Sequence, residues 1–169
     1  MILAFRPCHD LMWGKTADWG DHSMKVQQLI RSQKLHHHYI SPDAWVITTL
    51  RKLQKHNVGA IVVSADGQQV EGVISERDIG HGISRYGARA LKFLVSDLMS
   101  ENVIKCHASD TVLSVTRKMD EFGVRHVPVV NAKGHYIAMI SMRDIVRQQL
   151  KEIEYDSNGD GALASEEAA

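Results

Sequence analysis

Gly72-Val-Ile-Ser-Glu-Arg-Asp-Ile79 decides how this chain is read, because Ala138-Met-Ile-Ser-Met-Arg-Asp-Ile145 repeats it. In each copy an apolar triplet reads as the end of a buried strand, and Ser-x-Arg-Asp opens a helix. A helix-opening Ser with a carboxylate three residues later is a capping box, in which the two side chains satisfy backbone N–H groups that the helix leaves unpaired. The same residues suit a ribose phosphate: helix N–H groups and the Arg take the phosphate, and the Asp accepts from two ribose hydroxyls. One copy leaves both meanings open; two copies make a pattern.

The repeat extends beyond these turns. From Ile40 onward the chain overlays itself without a gap at an offset of 66 residues, as from Ser75 to Ser141 and from Asp78 to Asp144. Val58-Gly-Ala-Ile-Val-Val63 falls on Val124-Arg-His-Val-Pro-Val129, and Lys52-Leu53 falls on Lys118-Met119. Upstream, Val26…Leu29-Ile30 matches Val95…Leu98-Met99 once a three-residue slip near His36-His37-His38 is allowed. Such self-similarity decides the architecture.

Each unit reads helix, strand, strand, helix. Asp43 and Ser109 hold equivalent positions and are expected as N-caps. They lead into apolar faces of Val46, Leu50 and Leu53 in one copy, and of Val112, Val115, Met119 and Phe122 in the other. First strands are expected at 58–63 and 124–130. Second strands at 70–74 and 135–140 follow turns at Asp66-Gly67 and Lys133-Gly134. Residues 88–99 read as a helical connector. The expected division is an N-terminal extension at 1–23, one unit at 24–94, a second at 95–152 and an acidic tail at 153–169.

These features resemble the cystathionine-β-synthase (CBS) domain in a tandem pair, a Bateman module. The resemblance covers about residues 24–150 and rests on the paired Ile-Ser-x-Arg-Asp turns, His126-Val-Pro-Val-Val130 and the order of elements. It implies an α/β (α+β) fold of two α-β-β-α units related by a pseudo-twofold axis. It also implies two clefts for adenosyl ligands such as AMP, ADP, ATP, NAD or S-adenosylmethionine, stacking into a homodimer, and regulation of another protein rather than catalysis. Carried onto this chain, Asp78 and Asp144 would hold ribose hydroxyls. Ser75 and Ser141 would meet phosphate, aided by Arg77 and Arg143. The purine would lie against Ile61-Val62 in one cleft and Val127-Pro128 in the other, with Tyr39-Ile40 and Lys105-Cys106 as opposite walls. Pro128, Arg125 and His126 have Val62, Gly59 and Ala60 as counterparts. On this basis the Asp144 cleft is expected to bind more tightly.

Composition narrows the alternatives. The 169 residues carry 20 Lys plus Arg and 20 Asp plus Glu, so there is no basic surplus for a nucleic-acid backbone. No apolar run approaches membrane-spanning length, and with Met-Ile-Leu-Ala-Phe so short ahead of Arg6-Pro7 no signal peptide is expected. Two isolated cysteines, Cys8 and Cys106, fit a reducing cytoplasm. Cys106 is expected to pack in a strand. His36-His37-His38 reads as polar linker, since neighbours on a strand point to opposite faces and make poor tetrahedral ligands. No nucleophile elbow, Walker loop or zincin motif is present, and the expectation is a non-enzyme. One motif lies outside the family. Asp156-Ser-Asn-Gly-Asp-Gly-Ala-Leu-Ala-Ser-Glu-Glu167 matches a calcium loop, with Asp156, Asn158, Asp160, Ala162 and Glu167 as ligands and a helix at about 142–154 leading in. With Ala168-Ala169 after it, no exit helix is expected. A calcium-responsive interaction module is therefore one alternative function, and a ligand-free structural scaffold another.

Overall fold

The structure, a computed structural model, describes residues 24–159 apart from Lys34 and His36. Cys8, the two tryptophans of the first 23 residues, and Asp160, Ala162 and Glu167 lie outside the described residues.

Two three-stranded sheets form the frame. β1 (Tyr39–Ile40), β2 (Ala60–Val63) and β3 (Gly72–Ser75) make the first, in that spatial order; β4 (Cys106–His107), β5 (His126–Val130) and β6 (Tyr136–Ser141) make the second. In each sheet the short first strand runs parallel to the central strand, and the third runs antiparallel to it. Gly67 and Gly134 sit in the connecting turns at φ 74° and 80°, where a Cβ would be strained. β5 tolerates Pro128 because β4 spans only Val129 and Val130, so no β4 residue stands opposite the proline.

Helices α2 (Val46–His56) and α4 (Val112–Glu121) precede the central strands. α2 buries Val46, Thr49 and Leu53, and α4 buries Val115 and Met119, the spacing of one helical face. Both start later than Asp43 and Ser109 would place them. Thr111 caps α4, its hydroxyl accepting from Ser114 N–H at 3.1 Å, whereas Trp45 precedes α2 without a side-chain cap. Asp110 instead accepts from His107 N–H, which shapes the loop before the helix.

α3 (Glu76–Tyr86) and α5 (Met142–Gly159) follow the sheets. α5 continues past the expected end at 154 and carries Asp156 and Asn158 on helical backbone. The connector at 88–99 is not α-helical. It consists of two 3-10 turns, Gly87–Lys92 and Val95–Asp97.

The two matching upstream segments are exchanged between the sheets. α1 (Val26–Gln33) inserts Val26 and Leu29 into a core with Cys106, Val115, Met119, Val127, Val129, Ile140 and Ile145. Lys25 bridges to Thr111 and fixes that docking. Val95, with Leu91, Phe93, Leu98 and Met99 beside it, closes the first core around Ile40, Val46, Leu53, Ile61, Val63, Ile74 and Ile79. A third cluster joins the sheets: Val62 and Val70 meet Val130 and Tyr136. Tyr136 N–H donates to the Gln68 carbonyl at 2.8 Å, and Lys105 Nζ donates to the Val70 carbonyl at 3.2 Å. The halves therefore form one body with a shared seam.

Candidate functional site

Both Ser-x-Arg-Asp turns form complete capping boxes. Asp78 Oδ2 accepts from Ser75 N–H at 2.8 Å and from Ser75 Oγ at 2.6 Å, while Asp78 N–H donates to Ser75 Oγ at 3.3 Å. Asp144 repeats this with Ser141 at 2.9, 2.5 and 3.3 Å. The leading N–H of each helix is also taken. Glu76 donates to the Gly59 carbonyl at 3.0 Å, and Met142 donates to the Arg125 carbonyl at 2.9 Å. With the serine hydroxyl and these amides committed, an anion at either turn would be met mainly by arginine. The cap occupies Oδ2 of each aspartate and leaves Oδ1 as the oxygen that could reach a ligand.

Each turn opens on its own cavity. The Asp78 cleft, about 350 Å³, places Ser75, Arg77 and Asp78 against Ser100, Asn102, Val103, Ile104 and the Gly123-to-His126 segment. The Asp144 cleft, about 640 Å³, places Ser141, Arg143, Asp144 and Arg147 against Gln33, Leu35, His38 and the His56–Ala60 junction of α2 and β2. One unit's helix N-terminus thus faces the other unit's helix-to-strand junction. The two cavities share a partition: Gly59, Ala60, Glu76, Arg125 and His126 line both.

His126 is the centre of that partition. Burial lowers its proton affinity, against the pull of the Asp144 and Glu76 carboxylates; Arg143 and Arg125 push it lower still. Gly59 makes room for the ring, since a Cβ there would come within 3.3 Å of His126 Cε1. Further along the larger cleft, His38 stacks on His56 with ring centroids 3.9 Å apart. His37 stacks on Tyr136 at 4.4 Å, and the Tyr136 hydroxyl donates to the His38 carbonyl at 3.2 Å. Burial raises the Tyr136 phenol. His37 and His38 are therefore docked on aromatic rings rather than left as free linker, and no metal-binding group of His, Cys, Asp or Glu occurs among the described residues.

The structure brings the paired serines, arginines and aspartates to the two clefts and places the expected wall residues elsewhere. Ile61, Val62, Ile40, Cys106 and Val127 are buried in the cores, and Pro128 is buried on β5. None of them lines either cleft, and neither do Tyr39 and Lys105. Lys52 Nζ donates to the Tyr39 carbonyl, and Lys105 is tied to Val70. The lining comes from the residues just before each entering strand, His38 and Ile104, because the strands themselves turn inward. Pro128, Arg125 and His126 no longer favour the Asp144 cleft: the first lines neither cavity, and the other two line both. Sequence reasoning missed Glu76, His56, Arg147 and the Gly59 partition. The available signal was position: His56 and Gly59 stand at the α2-to-β2 junction, and Glu76 and Arg147 stand on the helices that the duplicated turns open.

Comparison with known proteins matches the CBS domain model at residues 34–84 and 95–151. The chain belongs to the CBS domain family. It holds two tandem CBS units in a mixed α/β fold. A CBS-domain containing protein of Agrobacterium tumefaciens superposes with a TM-score of 0.71 at 28% identity, covering 75% of this chain and 99% of that one. A CBS domain protein of Pyrobaculum aerophilum, solved in complex with AMP, superposes with a TM-score of 0.61 at 25% identity, covering 72% and 89%. The mitochondrial CBS domain-containing protein CBSX3 of Arabidopsis thaliana is 33% identical over 118 residues, 68% of this chain and 57% of that protein. The matched part of this CBS pair thus spans little more than half of that relative's length. No helix among the described residues is long and apolar enough to cross a membrane.

Proposed function

We propose that this CBS pair is a regulatory protein that binds an adenosyl nucleotide of the AMP, ADP, ATP or NAD class and thereby modulates a partner protein. The observation that carries this is the duplicated turn: two capped helix N-termini, each presenting Arg and Asp to its own cavity. The AMP complex of the Pyrobaculum aerophilum relative supports the adenosyl class. In this scheme Asp78 and Asp144 accept ribose hydroxyls through Oδ1, and Arg77, Arg143 and Arg125 hold phosphate. Because each cleft is walled by both units, a ligand bridges them and favours the arrangement it binds best, which is what a partner would sense. The proposed role is not catalytic, as both serine hydroxyls are held in caps by carboxylates.

A second copy is the proposed stacking partner. Val146, Leu150 and Ile153 follow one face of α5 and are exposed, as is Leu113 on the neighbouring α4. Cys106, a buried free thiol, suits a reducing compartment such as the cytoplasm. Calorimetric titration with AMP, ATP, NAD and S-adenosylmethionine tests the nucleotide class, and heat from none of them would reject it. A calcium titration in the same experiment tests the terminal loop.

A further inference from the structure

We infer that the two clefts divide the ligand class: the Asp144 cleft takes an adenosyl nucleotide with more than one phosphate, and the Asp78 cleft takes a singly phosphorylated one. This rests on the nucleotide function proposed above and adds an assignment to each cavity.

Size points the same way as charge. The Asp144 cleft is about 640 Å³ and the Asp78 cleft about 350 Å³, so only the former has ample room beyond a nucleoside monophosphate. In the smaller cleft Arg77 and Arg125 are balanced by Glu76 and Asp78. In the larger, Arg125, Arg143 and Arg147 face Glu76 and Asp144, which leaves one positive charge in surplus, and the His38–His56 stack adds imidazole rings to the wall.

The surplus comes from differences between the copies. Arg147 stands where the first unit has His81, and His81 does not line the smaller cleft. His38 stands where the other copy has Ile104, an apolar residue that does line it. Arg147 is also available. Its NH1 lies 3.9 Å from Asp144 Oδ1 with the side chain 54% exposed, a loose pair that an incoming phosphate can replace at little cost. Glu76 projects into both cavities and repels phosphate in each, so a second phosphate is tolerated only where cations exceed carboxylates.

The test is calorimetry with AMP and ATP in magnesium-free buffer on the full chain. In Asp78→Ala the remaining cleft should prefer ATP over AMP by about tenfold, the effect of one further charge-assisted contact. In Asp144→Ala the remaining cleft should bind AMP and lose that preference. Arg147→Gln, an exposed change that spares both caps, should lower the ATP-to-AMP affinity ratio several-fold even where an aspartate variant fails to fold. The same preference in both aspartate variants, or an unchanged ratio in Arg147→Gln, overturns the division alone. If neither nucleotide binds the unaltered protein the division falls, and the nucleotide function falls with it when NAD and S-adenosylmethionine give no heat either.

Discussion

Four side chains show how environment sets chemistry at the scale of the residue. Asp144 and Asp78 are structural before they are anything else, since each satisfies its serine's N–H and hydroxyl. Replacing either with Ala should destabilise the fold by about 1 kcal/mol, the usual worth of a cap, as read from urea denaturation without ligand. His126 makes stability depend on pH. Its folded proton affinity is below the ordinary value of 6.5 because it is buried, so the unfolded chain binds more protons in the window just beneath that value. Stability from this group is therefore present above about pH 6.5 and lost as pH falls through the lower folded value. His126→Gln should flatten that acid limb in denaturation midpoints measured from about pH 5 to 8. Cys106 behaves differently. Burial, with Asp110 nearby, pushes its thiol up to about 12, so iodoacetamide should label it only after unfolding, as peptide mass analysis would show.

At the scale of the element, the telling feature is the exchange of α1 and the Val95 segment. Each is short, carries an apolar stripe similar to the other's, and nothing in either sequence says which core receives it. Leu29→Ala should cost about 2–5 kcal/mol, typical of a buried Leu. By hydrogen exchange, its first loss of protection should appear in β4–β6, although Leu29 precedes the first sheet in the chain. Val95→Ala should instead loosen β1–β3, because Val95 closes the first core. Equal loosening of both sheets by each variant would contradict this packing. The strands and main helices were legible from alternation and helical spacing, since those patterns are local. The helix starts were less so. Asp43 and Ser109 are good caps in isolation, but burial of Val46 and the Thr111 hydroxyl set the boundaries two residues later.

The scale of the whole molecule adds the seam and the exposed faces. Leu150 is 54% exposed on α5, between Val146 and Ile153. If the stripe stacks on a second copy, the 18.9 kDa chain should sediment as a dimer, and Leu150→Glu should shift it to monomer without loss of the fold. An unaltered protein that sediments as a monomer would reject the stacking. The duplicated turn, the two-unit architecture, the family and the identity of the paired serines, arginines and aspartates were all determined by the sequence itself. They follow from contacts between residues close in the chain and from a repeat that needs no coordinates. Only the tertiary structure decided which residues face them. Gly59, Glu76 and His126 became a wall common to two clefts, His38 and Arg147 came to line the larger one, and Pro128 came to line neither. Those outcomes depend on how one sheet docks on another and on which half accepts each exchanged segment. The docking is set by burial at the seam of Val62, Val70, Val130 and Tyr136, a pairing across the chain that local spacing does not encode.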